Sequence, residues 1–340
     1  MAKTKGPLLS LEAHGTLAKT LNYSAKKSGS QVRKHHYPQK KVTGAQWTQR
    51  HIMGMLTARW QTLTDEEKAP YIASAKIAKP VITGFNYFVR VAQTDLKTHL
   101  GLELYYTMDE DTGDTVYDHS GQGINGTLVP TYPSNAPKRV PSLNTQYYNC
   151  LNFDGLDDNI NTGESFVSTF RDSFSIGFWF KPGEGRPAYD YNAFGLQHAA
   201  ATICKGGPTR GGKITFVYGA GGVYKATLTK TPIFQAGGTQ WTWIIFTLLK
   251  NTQANIYVNG ALQPLDDEYN GDLSAIDFDT FDTVNAFVVG CLNYSGHYPF
   301  NPFKGLLDEF IIWNRIPGTE EIKKLYDLMR TGKKRQPLIN

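Results

Sequence analysis

Phe174-Ser175-Ile176-Gly177-Phe178-Trp179-Phe180-Lys181-Pro182 sets apolar Phe174, Ile176, Phe178 and Phe180 at alternate positions, with Ser175, Gly177, Trp179 and Lys181 between them. Such alternation marks a strand with one face against a core, so it predicts a half-buried strand. Trp243-Ile244-Ile245-Phe246-Thr247-Leu248-Leu249 predicts a second strand. Asn255-Ile256-Tyr257-Val258 runs into Asn259-Gly260, a pair suited to the positive-φ positions of a tight hairpin turn. Ala286-Phe287-Val288-Val289-Gly290 and Leu306–Trp313 predict further strands. Many short strands separated by Gly, Asn and Pro predict an antiparallel β-sandwich or jelly roll over residues 98–330. One helix closes it: Ile322, Leu325, Tyr326 and Met329 share a helical face after Pro317-Gly318. Residues 331–340 form a basic tail with Lys333, Lys334 and Arg335.

Composition agrees with this class. The 340 residues are 40% hydrophobic, 19% charged and 13% aromatic, with 33 Gly. That supports packed cores and excludes a disordered chain, a coiled coil, a collagen-like chain and a small disulfide scaffold. No run of about 18 apolar residues occurs, so no membrane helix and no membrane partner are expected. Leu8, Leu9 and Leu11 after the basic start are too short a core for a Sec signal peptide. Cys150, Cys204 and Cys291 are far apart and odd in number, which predicts buried or idle thiols and argues against zinc or a disulfide framework.

The charge is divided. Residues 1–97 hold 16 Lys+Arg against 5 Asp+Glu, a net +11, and residues 98–340 hold 19 against 25, a net −6. Residues 1–42 read as an extended basic arm, kept open by self-repulsion across Lys26, Lys27, Arg33, Lys34, Lys40 and Lys41. His35-His36 belongs to the same cationic run, and Leu17, Leu21 and Tyr23 are short alternations able to pair as strands. Residues 43–97 read as a small α-helical module. Thr43 is a cap for a helix carrying Ile52, Met55, Leu56, Trp60 and Leu63, and Thr64-Asp65-Glu66-Glu67 is a capping box. Pro70 is expected to kink the second helix or shift its start, and Pro80 to end it. Gly84–Arg90 is a third short helix or a strand. This is little core for independent stability, so the module is expected to anchor on a partner through Trp60, Tyr71, Phe85 and Phe88.

The ordered fragments of the body carry a resemblance. Leu104–Glu110, Asp118-His119-Ser120-Gly121, Asn125–Leu128, Leu151-Asn152-Phe153-Asp154-Gly155 with Asp157-Asp158, Phe174–Pro182, Trp243, Tyr257–Gly260 and Gly305–Arg315 resemble a laminin-G-like domain of the concanavalin A-like lectin/glucanase superfamily over residues 101–328. The resemblance implies a two-sheet jelly roll whose relatives often bind glycans or proteins, and fold does not fix function. It also implies a structural Ca²⁺, for which Asp118 and Asp308 are the candidate ligands. Asp308 shares strand parity with Phe310 and Ile312 and is expected to point inward, where a carboxylate needs hydrogen bonds or a cation. Loop N–H groups would satisfy both carboxylates equally; calcium would draw about six to eight oxygens. Asp157-Asp158 is a second acidic loop.

Segments of the N-terminal part, among them Gly15-Thr16-Leu17, Leu21-Asn22-Tyr23, Val32-Arg33 and Gly84–Phe88, resemble N-terminal segments of tailed-phage virion proteins. Trp60, Leu63, Glu67-Lys68, Tyr71 and Ala75 also resemble an HMG-box helix. The resemblance implies a virion structural protein with capsid or tail proteins and copies of itself as partners, reaching the outside by lysis. Nucleic acid is an alternative partner for the basic arm, and host glycans are candidate partners for the jelly roll.

Glycan stacking needs exposed aromatics. Tyr189, Tyr191, Tyr294, His297 and Tyr298 lie in loop-like stretches and are the candidates, although loop packing explains them equally. A glucanase needs two carboxylates on one strand facing a cleft. The chain offers only Asp109-Glu110-Asp111, at a turn, and Asp308-Glu309, whose adjacent side chains are expected on opposite faces. No G-x-S-x-G elbow, P-loop or H-E-x-x-H occurs, and Gly219-Ala220-Gly221-Gly222 reads as a hairpin turn. No enzyme is expected.

Overall fold

The computed structural model describes residues 15–17, 21–26, 29–34, 44–129, 136–142, 149–183, 191–197, 201–206, 212–233, 240–269, 273–294 and 297–332. The chain forms two units, Met1–Thr43 and Gly44–Asn340. In the first, β1 (Gly15–Leu17), β2 (Leu21–Lys26) and β3 (Gly29–Lys34) make a three-stranded antiparallel sheet. Leu17 pairs with Leu21 and Gly15 with Tyr23, so the short alternations do pair as strands. Within the extended basic arm expected over residues 1–42, Lys26 ends β2, and Arg33 and Lys34 sit on β3 opposite Asn22 and Leu21. Lys27, Lys40, Lys41 and the tail at 333–340 lie outside the described residues.

The second unit opens with α1 (Gly44–Thr62), α2 (Asp65–Ile77), α3 (Gly84–Ala92) and α4 (Leu96–Leu100). Strands β4 (Leu102–Tyr106), β5 (Thr115–Val116), β6 (Gly126–Val129), β7 (Lys138–Pro141), β8 (Asn149–Asp154) and β9 (Asn159–Asn161) follow, then α5 (Val167–Phe170). Next come β10 (Phe174–Pro182), β11 (Tyr191–Gln197), β12 (Ala201–Gly206), β13 (Ile214–Ala220), β14 (Val223–Thr229), β15 (Thr242–Leu249) and β16 (Gln253–Val258). The last elements are β17 (Ala261–Leu262), β18 (Leu265–Tyr269), β19 (Val288–Val289), β20 (Leu292–Tyr294), β21 (His297–Phe300), β22 (Lys304–Trp313) and α6 (Thr319–Gly332). An eight-stranded sheet runs β17-β16-β15-β10-β22-β8-β7, with β4 also on β22. An eleven-stranded sheet runs β18-β14-β13-β12-β11-β19-β9-β6-β5, with β20 on β11 and β21 on β20. The Asn-Gly turn is present between β16 and β17, with φ of +51° at Asn259 and +81° at Gly260.

The main core lies between the sheets. Phe174, Ile176, Phe178 and Phe180 of β10 meet Phe194, Phe216, Phe246, Phe287 and Phe310 there, and Phe216 stacks on Phe246 at 4.7 Å. The other face of β10 is buried too, which corrects the half-buried strand: Ser175, Gly177 and Trp179 are all covered. A second core covers that face. It joins Trp179, Trp243, Ile245, Ile311 and Trp313 of the sheet to Ile52, Met55 and Leu56 of α1, Phe88 of α3, and Ile322, Leu325 and Met329 of α6. Gly177 is small for a reason: a Cβ there would lie 2.8 Å from Ile245 and 3.0 Å from Trp313. Gly54 likewise leaves room for Leu328 of α6 against α1.

The helical residues therefore share one unit with the sandwich rather than forming a module that docks elsewhere. Local signals place the helices correctly. Thr64 and Glu67 form the capping box, and α2 continues through Pro70 to Ile77. Residues Gly84–Ala92 are helix, capped by Thr83. Trp60, Tyr71, Phe85 and Phe88, expected to anchor a partner, instead pack on one another: Phe88 lies 5.1 Å from Tyr71 and 5.5 Å from Trp60. A polar latch closes the unit. Arg315 donates to Leu100 O and to both Glu321 oxygens (2.6 and 2.9 Å), and Asn314 donates to Glu103 (2.8 Å).

Phe88→Ala is expected to cost about 3–5 kcal/mol of stability, the range for emptying a buried aromatic site. Denaturant titration of the full chain measures it. A loss below about 1 kcal/mol would mean that the helices unfold separately from the sandwich.

Candidate functional site

The hairpin β20–β21 is the strongest candidate surface. Leu292 is buried with Val217 and Ala226 of the eleven-stranded sheet, and Tyr224 packs on them. Asn192 N–H donates to Asn301 O (2.8 Å), its side-chain amide to Phe300 O (3.3 Å), and Phe303 N–H to Gly290 O (2.7 Å). Asn293 donates to Ala286 O (2.9 Å). On this anchored hairpin the Tyr294 and Phe300 rings lie 5.9 Å apart at 49°, and they are 36% and 39% exposed. Burial raises the Tyr224 phenol above its ordinary pKa, with Tyr294 as a second contributor. Two adjacent, partly exposed rings form an apolar surface that carries one phenol hydroxyl.

Of the expected glycan-contact residues, Tyr294 is on this surface. His297 and Tyr298 lie on β21, and Tyr189 lies outside the described residues. Tyr191 is corrected: it is buried, with its ring 5.2 Å from Phe303. Phe300 was missed. Ser295-Gly296 between two aromatic runs is the hairpin signal that would have included it.

Asp118 and Asp308 both accept hydrogen bonds from backbone N–H groups, the expected alternative to a cation. Asp118 organises its turn. Tyr105 N–H (3.0 Å) and Ser120 N–H (2.8 Å) donate to Oδ1, and the Ser120 hydroxyl (2.7 Å) and Ile124 N–H (3.2 Å) to Oδ2. Asp308 accepts from the Ser142 hydroxyl and from Glu309 N–H. Its inward parity is corrected by a bulge. Gly177 pairs with Ile311 but Trp179 pairs with Asp308, which leaves one extra residue on β22, and Glu309 has φ of +50°. Phe310 and Ile312 stay in the inter-sheet core, whereas Asp308 shares the register of Trp179 on the helix-covered face.

Glu309 also ends on the helix-covered face instead of opposite Asp308. The Tyr105 hydroxyl donates to it at 2.6 Å, and His51 Nδ1 lies 2.9 Å from that hydroxyl and 3.5 Å from Glu309. Burial, then the Glu309 charge, holds the Tyr105 phenol far above its ordinary range.

One acidic cluster stands apart. One oxygen from each of Asp154, Asp157 and Asp158 lies within 4.8 Å of the others. Asp154 N–H donates to Asp158 Oδ2 (2.7 Å), and Leu156 N–H donates to Asp154 Oδ1 (2.7 Å). Burial first, then the charges of Asp154 and Asp157, push the Asp158 carboxyl up to about 7.

With this geometry, the chain belongs to the concanavalin A-like lectin/glucanases superfamily, whose family model matches residues 154–323, half of the chain. Domain 4 of AbnA, a GH43 extracellular arabinanase from Geobacillus stearothermophilus solved with arabinotriose, is similar at TM-score 0.46 and 19% identity over 66% of this chain and 98% of that one. The receptor binding domain of botulinum neurotoxin mosaic serotype C/D is similar at TM-score 0.47 and 16% identity over 67% of this chain, which spans 50% of its length. Trypanosoma rangeli sialidase, in complex with 2,3-difluorosialic acid, is similar at TM-score 0.44 and 13% identity over 68% of this chain and 34% of that one. No curated protein of similar sequence is found. No helix among the described residues is long and apolar enough to cross a membrane.

Asp118→Ala removes the acceptor of four donors and is expected to cost roughly 2–4 kcal/mol, read from the denaturation midpoint. Asp118→Asn, which keeps one acceptor oxygen, should lose less.

Proposed function

We infer that the sandwich binds carbohydrate without turning it over, and that the β20–β21 hairpin is the contact surface. The observation that carries this is the Tyr294–Phe300 pair, 36% and 39% exposed on a hairpin held by hydrogen bonds at its base. An aromatic face presents apolar area to the C–H face of a sugar, and an anchored hairpin loses little freedom on binding. The absence of turnover is supported by the fate of the strand carboxylates. Asp308 and Glu309 are 0% and 1% exposed beneath the helices, so neither can reach a sugar, whereas glycoside hydrolysis needs two carboxylates lining an open cleft.

The finer reading is a displayed component of a tailed-phage particle, held on an acidic capsid or tail surface by its N-terminal unit. Residues 1–43 carry nine Lys+Arg against one Asp+Glu, which supports attachment through charge. Mass spectrometry of purified particles should find the chain at a fixed copy number. Binding to random-sequence DNA that falls steeply with salt would favour nucleic acid instead.

A glycan array probed with the full chain is expected to give binding that Tyr294→Ala and Phe300→Ala each weaken at least about ten-fold, with the melting temperature unchanged. Binding that survives both substitutions would move the site elsewhere, and no binding to any glycan would end the carbohydrate reading.

A further inference from the structure

We propose that the corner formed by Asp154, Asp157 and Asp158 holds a divalent cation of the calcium class, clamping the two sheets where the chain crosses between them. Asp154 is the last residue of β8 in the eight-stranded sheet, and Asn159 opens β9 in the eleven-stranded sheet. The corner thus joins the two layers of the sandwich.

The spacing suits one ion. Two oxygens bound at about 2.4 Å to a shared calcium lie at most ~4.8 Å apart, and the three carboxylate oxygens meet that limit. The second observation concerns Asp158 alone. It is 2% exposed, its Oδ2 accepts one backbone N–H, and its Oδ1 is buried with no hydrogen-bond partner among the described residues. A buried carboxylate oxygen without a donor is costly unless a cation neutralises it. No Lys or Arg among the described residues makes an ion pair with any of the three.

The chemistry selects the metal. All three donors are carboxylates, with no imidazole or thiolate, which disfavours zinc. Asp154 and Asp157 are half-buried, so water can reach the remaining positions. A flexible, partly hydrated oxygen site suits calcium better than the rigid octahedron of magnesium. The structural Ca²⁺ that the family resemblance implies was expected at Asp118 and Asp308, whose oxygens accept hydrogen bonds from protein donors. This site is separate from the carbohydrate surface, and either proposal can fail without the other.

The test uses the full chain stripped with EDTA and returned to CaCl2, MgCl2 or NaCl of equal ionic strength. With a dissociation constant of roughly 0.1–1 mM, about 10 mM Ca²⁺ should raise the melting temperature by roughly 2–6 °C, and EDTA should reverse it. Asp158→Asn should abolish the rise while keeping an acceptor for Asp154 N–H. Should that variant not fold, Asp157→Asn at the half-buried position serves in its place, with Asp267→Asn as the control that retains the rise. No calcium response, or a response unchanged in Asp157→Asn, would overturn the site, and an equal response to Mg²⁺ would overturn the calcium-class assignment.

Discussion

Three indoles on the outer face of the eight-stranded sheet dictate the rest of this molecule. Trp179, Trp243 and Trp313 stand beside Ile245 and Ile311, a surface too apolar to face water. Helices α1, α3 and α6 cover it, and Tyr326 stacks on Trp243 at 5.9 Å. Covering large aromatics stabilises by roughly 1.5–3 kcal/mol each, against a cost of about 1–3 kcal/mol for each of Trp179 and Trp243 Nε1, which lack hydrogen-bond partners among the described residues. The helical segment, too small to stand alone, gains its core from the sheet.

That layer has a chemical consequence. The β22 bulge accompanies the burial of both Asp308 and Glu309, which are 0% and 1% exposed. There they serve as acceptors: Glu309 for Tyr105, itself linked to His51 of α1, and Asp308 for Ser142. Glu309 thereby ties the sheet to α1, and Asp308 ties β22 to the residue that follows β7. In the opposite sheet, Leu292 of the β20–β21 hairpin is buried with Val217 and Ala226.

Much of the architecture was legible because its signals are local. The alternation of β10, the Asn259-Gly260 turn and the Thr64–Glu67 capping box each specify backbone geometry within a few residues, and each is present. The candidate site was only partly legible. Tyr294 and Tyr191 sit in similar polar surroundings in the chain, yet one is exposed and the other packs against Phe303. Exposure depends on what folds over a residue, and Asn192, whose hydrogen bonds hold the end of the hairpin, is distant in sequence from it.

The principal strand and turn signals, the alternating phenylalanines of β10, the closing helix and the positive charge of residues 1–97 follow from the sequence alone, since periodicity, turn chemistry and net charge are properties of neighbouring residues. Tertiary structure decided what the second face of β10 meets, where Asp308 and Glu309 point, and which acidic residues gather at one corner. Those outcomes depend on contacts between segments far apart in the chain. A single extra residue in β22 is enough to carry a carboxylate to the other side of a sheet.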